Sequence, residues 1–181
     1  EKNKADIKII PFFNNVEVKA KLKTFNENLD IAAITINRGF RNNKDLKICE
    51  IKKSTPNLGD VAIAIGHPKG ERDFHISTGK INAFLDISLK PLDNNDPLIH
   101  WLNVNTPIGP GSSGGPLYNK GFIIGVNTSG IPNTNINYAI YFKKLETFLE
   151  TNNISQGHKL NEGFFKELKI NPIQKFNRVI K

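Results

Sequence analysis

The chain has 181 residues, 38% of them hydrophobic, which suits one domain or two small barrels sharing a core and argues against a disordered chain. Its 25 Lys and Arg against 17 Asp and Glu give a formal net charge of +8, but the lysines are scattered and the arginines are only Arg38, Arg41, Arg72 and Arg178. That pattern is a solvated surface rather than a nucleic-acid face, while the single Cys49 excludes an internal disulfide and a multi-cysteine metal site.

In chain order, "VEVKAKLKTF" (16–25) puts Val16, Val18, Ala20 and Leu22 on one face and Glu17, Lys19, Lys21 and Lys23 on the other. This period of two predicts a half-buried strand with a solvated lysine face. "DIAAITI" (30–36), "DVAIAIG" (60–66), "GFIIGVNT" (121–128) and "INYAIYF" (136–142) are short apolar runs bounded by Gly, Pro, Asn and Asp, the signature of further strands. Turn signals sit between them at "NLGD", "HPKG", "PLDNNDP" and "NKG". Helical spacing appears only at the end, where Phe142, Leu145, Phe148 and Leu149 share one face, with a weaker pattern in "NEGFFKELK". These readings predict an all-β barrel or sandwich followed by a helical extension. No apolar run reaches the length of a membrane span.

The stretch with chemistry in it is "GPGSSGGP" (109–116), two serines inside a run of glycines and prolines. Glycines on both sides let a backbone turn its N–H groups toward one point, as an oxyanion site requires. A serine also needs a base, and the base an orienting carboxylate. Asp30, directly before the apolar run "IAAITI", is the best carboxylate, although an aspartate at a strand edge also caps turns.

Taken together, "DIAAI" at 30, "AIGHPKG" at 64, "STGKI" at 77, "GPGSSGGPLYN" at 109 and "IIGVNTSGI" at 123 resemble, in the same order, the motifs of the trypsin-like serine proteases and within them the HtrA (Deg) family. The resemblance implies a double six-stranded β-barrel. The first barrel would be incomplete in residues 1–50, the second would span 51–140 with the nucleophile loop, and 141–181 would be a C-terminal helix and extension. It makes Ser113, which directly precedes Gly-Gly-Pro, the nucleophile, and Ser112 a loop residue. Asp30 would orient the histidine, and the amides of Gly111 and Ser113 would form the oxyanion hole. Thr128, Ser129 and Gly130 would pair with a bound peptide, with the Thr128 hydroxyl in reach of Asp30. Ile108, five residues before Ser113, and Ile131 and Ile136 would wall the specificity pocket, with Pro107 where trypsin carries an aspartate. Such a pocket implies a small or medium apolar residue before the scissile bond, at about 1–3 kcal/mol for each well-filled group. The alternative is that these isoleucines are ordinary barrel core, Ile136 above all.

The base does not follow the pattern. The four histidines are His67, His75, His100 and His158, and none precedes Asp30. His67 matches a turn position in the family, His75 and His100 fall in strand-like runs as barrel residues with satisfied side chains, and His158 lies in a polar loop. The resemblance places the catalytic histidine about 30 residues before the aspartate, at or just upstream of Glu1. An upstream segment that carries it and completes the first barrel is therefore expected, since half a barrel leaves unpaired edges. The stretch after the second barrel is too short for the PDZ domain of the usual HtrA plan. The partner expected is a peptide or unfolded protein substrate, with no cofactor and no metal, in a bacterial cytoplasm or periplasm. The alternatives are a protease-like peptide-binding module without activity, or an effector or sensor domain of a larger protein.

Overall fold

The computed structural model describes residues 7–11, 16–36, 49–67 and 74–154. The weak helical pattern at 161–169 and His158 lie outside them. The first sheet is three antiparallel strands in the order β1 (Ile7–Ile9), β2 (Val18–Asn26) and β3 (Ile31–Ile36).

The second sheet is a closed barrel. It runs β4 (Val61–Gly66), β8 (Pro116–Asn119), β9 (Phe122–Gly130), β10 (Asn137–Tyr141), β7 (Trp101–Val104) and β5 (His75–Leu85), and β5 pairs back onto β4. Closure pairs each strand on both sides, except that the end of β9, residues 128–130, runs past β8, which pairs only with 122–126. The two-residue β6 (Pro91–Leu92) is added on β5. Alternation turns Ala62, Ala64, Leu102, Val104, Leu117 and Ile124 into the interior, each at most 2% exposed. The β8–β9 hairpin closes through Lys120 and Gly121, with φ of 51° and 86°, the two positive values that a two-residue hairpin of matching twist needs. Chain order thus differs from spatial order, and it brings the loop before β8 beside the end of β9.

Helix α1 (Phe142–Thr151) follows β10 directly. Phe142 and Phe148 are buried and Leu145 and Leu149 partly so, as the helical spacing predicts. Phe148, Ile140 and Ile31 form one cluster flanked by Leu29, Trp101 and Val126, and Thr24 Oγ1 donates to Asn152 Oδ1 at 2.9 Å. The helix therefore clamps the β2–β3 hairpin onto the barrel.

The apolar face of that hairpin departs from expectation. β2 pairs Leu22 with Ile34 and then, past a bulge, Phe25 with Ala32, so these four residues share a face. Val16, Leu22, Phe25 and Ile34 are 58%, 50%, 55% and 44% exposed, not half-buried. The bulge sends Thr24 to the opposite face, which it shares with Ala33 and Ile31 of β3 and which meets α1 and the barrel, while nothing among the described residues covers the first.

Candidate active site

The loop 109–115 is wound by its own amides. Ser112 N–H donates to Gly109 O and Gly115 N–H to Ser112 O, both at 3.0 Å. Gly114 N–H donates to Asn127 O and Asn127 N–H to Gly115 O, both at 2.8 Å, tying the loop to β9. Two glycines are required for steric reasons. Gly111 has φ of 97°, open to glycine at little cost, and a Cβ on Gly115 would lie 2.2 Å from Ile65 O. The winding buries Ser112 and exposes Ser113. The amides of Gly111 and Ser113 donate to no acceptor among the described residues.

Ser113 Oγ donates to the main-chain oxygen of Thr128 at 2.5 Å. The hydroxyl of the same Thr128 donates to Asp30 Oδ2 at 2.6 Å. Asp30 is delivered by the β2–β3 turn, where Leu29 N–H donates to Asn26 Oδ1 at 3.1 Å and Asp30 N–H to Glu27 O at 3.2 Å. Its φ of 52° is a left-handed conformation that aspartate tolerates better than most residues. Thr128 therefore joins Asp30 of the first sheet to Ser113 of the second.

A cleft of about 730 Å³ opens beside Ser113, lined by Ile108, Ser113, Thr128, Ser129, Gly130 and Ile131 among others. Pro107 and Ile76 add apolar wall, and among the described residues none that lines the cleft is Asp, Glu, Lys or Arg. Gly111 shapes the loop without lining the cleft. Ile136 does not line it either. Its neighbour Asn137 turns inward at 4% exposure, and strand alternation directs Ile136 to the outer surface at 38%. The lining residue at this point is Asn137, which the sequence reading passed over. Its signal is a polar residue at an inward position of a strand.

Of the described histidines, His67, His75 and His100, none is hydrogen-bonded to Ser113 or Asp30. His67 is exposed after β4. His75, expected among the barrel residues, is exposed at the start of β5 and lines the cleft. His100 is buried, but against expectation its Nε2 has no partner. Its ring lies 4.3 Å from Trp101, and burial, with a smaller contribution from Lys144, holds its pKa below the ordinary histidine value. No group of three His, Cys, Asp or Glu that could hold a metal occurs among the described residues.

This chain matches the family described as "Trypsin-like peptidase domain" over residues 3–126. It is 32% identical over 126 residues to a periplasmic serine endoprotease DegP-like of Pseudomonas fluorescens, covering 68% of this chain and 24% of that protein. A Synechocystis protein named as the serine protease HhoB is 40% identical over 88 residues, 48% of this chain and 21% of its own length. The chain thus spans about a quarter of the length of these relatives. Among solved structures, the serine endoprotease from Yersinia pestis superposes with a TM-score of 0.67 at 24% identity, over 83% of this chain and 50% of that one.

Proposed function

Because the chain belongs to the trypsin-like peptidase family, on its HtrA side, we propose that it is the catalytic part of a serine endopeptidase. Ser113 is the nucleophile, and Asp30 orients a histidine supplied from outside the described residues. The observation that carries this reading is the meeting of Asp30 and Ser113 on the two oxygens of Thr128. In the reaction Ser113 Oγ leaves the Thr128 carbonyl, passes its proton to the histidine and bonds to the substrate carbonyl carbon. The oxyanion is held by the Gly111 and Ser113 amides, the histidine proton goes to the departing amine, and water then hydrolyses the acyl ester.

Thr128, Ser129 and Gly130 lie along the cleft edge where a peptide strand would add. Ile108 and Ile131, with Pro107, leave an incoming lysine or arginine without a counter-charge, which favours a neutral residue of small or medium size. The uncovered face of Leu22, Phe25 and Ile34 is the surface on which the histidine-bearing segment packs to complete the first barrel. Residues 1–50, 51–140 and 141–181 form the partial barrel, the second barrel and the extension. The DegP-like relatives are named as periplasmic, and the periplasm is the compartment proposed. No helix among the described residues is long and apolar enough to cross a membrane.

A second reading, a peptide-binding module without activity, draws on the engagement of Ser113 Oγ by a main-chain carbonyl, with no base hydrogen-bonded to it among the described residues. Intact-mass analysis after a fluorophosphonate probe separates the two. The full-length protein should gain one adduct that Ser113→Ala abolishes, and no adduct on the full-length protein would leave the binding module.

A further inference from the structure

Ala64, Ser112 and Asn137 are the buried residues lining the cleft, at 2%, 7% and 4% exposure, so its floor is polar as well as apolar. Asn137 opens β10, opposite Val104 of β7 and Gly130 of β9. Its Nδ2 donates to Thr106 O at 2.9 Å. That bond sets the carboxamide, because exchanging its oxygen and nitrogen would put two acceptors face to face. On the other side, a Cβ on Gly130 would meet Oδ1 at 2.1 Å. The amide therefore spans the two walls of the cleft, one ending at Thr106 and the other at Gly130.

Oδ1 itself is unspent. The buried side-chain atoms without a partner among the described residues are His100 Nε2 and Asn127 Oδ1. Asn137 Oδ1 is not one of them, no hydrogen bond to it from a described residue is found, and Asn137 lines the cleft. An apolar side chain seated there would strip water from this oxygen and return nothing, whereas one carrying N–H or O–H would replace the lost bond.

From this geometry we infer that Asn137 is a specificity-determining residue. Its Oδ1 selects, before the scissile bond, a neutral side chain that brings a hydrogen-bond donor, such as Thr, Asn or Gln, over the apolar side chain of the same shape. The inference rests on the protease reading for the identity of the site and narrows its preference among neutral side chains, away from the apolar residue that the sequence pattern implies. Ile76, Pro107 and Ile108 receive the carbon stem, and Asn137 receives the polar tip.

The test is calorimetric binding to this chain of product-like peptides that differ only in the last residue, taken as the shape-matched pairs Thr and Val, Asn and Leu, Gln and Met. Binding needs no base, so its outcome is separate from turnover, which the full-length protein reports on its own. In at least one pair the donor-bearing peptide should bind about ten-fold tighter, and Asn137→Ala should bring that pair to parity. Parity in every pair for the unaltered chain, binding of no peptide at all, or a preference that survives Asn137→Ala would each overturn the inference. The ratio in the unaltered chain decides the matter if the variant fails to fold.

Discussion

Thr128 donates its hydroxyl to Asp30 Oδ2 at 2.6 Å across a sequence separation of 98 residues. The bond holds a carboxylate of one sheet at the end of a strand of the other. Thr128→Val keeps the side chain's shape and removes the donor, so Asp30 loses the contact that orients it. In the full-length protein kcat should fall about ten- to a hundred-fold with KM little changed, and Thr128→Ser should restore it. Steady-state kinetics on a peptide substrate would read this, and a change confined to KM would count against it.

The approach of Gly115 to Ile65 O leaves no space for a methyl group. Both partners are backbone, so neither can swing away as a side chain would. Gly115→Ala should cost about 3 kcal/mol of stability, seen as a lower urea midpoint, and should block probe labelling at Ser113 even where the fold survives. An unchanged midpoint would show that the loop does not pack on β4 as described.

Phe148 is 3% exposed and seats α1 on Ile31 and Ile140. Phe148→Ala should cost about 3–5 kcal/mol and free the hairpin that carries Asp30. Hydrogen exchange should then quicken in β2 and β3 before it does in β7 and β10. Uniform quickening would mean that the helix supports the barrel as a whole.

His100 supplies a pH dependence whose sign is set by burial. Its folded-state pKa is held below the ordinary value, so below about pH 6.5 the unfolded chain binds a proton that the folded chain refuses. Stability from this residue is therefore complete above that pH and declines as pH falls, until the folded-state value is passed. The slope is at most about 1.4 kcal/mol per pH unit. Urea melts at pH 7.5 and 5.5, compared with His100→Phe, should show a steeper loss in the unaltered protein, and equal losses would overturn the assignment.

Much of this molecule is legible without coordinates. The period of two in β2, the alanine- and isoleucine-rich β4, the β-branched start of β9 and the amphipathic α1 are local patterns, and local patterns survive translation into structure. The motif order likewise picks out Ser113, Asp30 and Thr128, which the fold brings together by hydrogen bonds, because a motif carries particular residue types at sites that a loop or strand end must present.

What the sequence determined by itself was the identity of β2, β3, β4, β9 and β10, of the helix and of the serine-bearing loop. Which face each strand buries was decided only by tertiary structure. The bulge after Leu22 shifts the pleat by one residue and turns Thr24 rather than Leu22 toward the helix, and the inward turn of Asn137 displaces Ile136 from the cleft. A single residue of register exchanges the two faces of a strand. That register is set by pairing with the neighbouring strands, Ile34 for Leu22 and both Gly130 and Val104 for Asn137, which the pattern of a single strand does not contain.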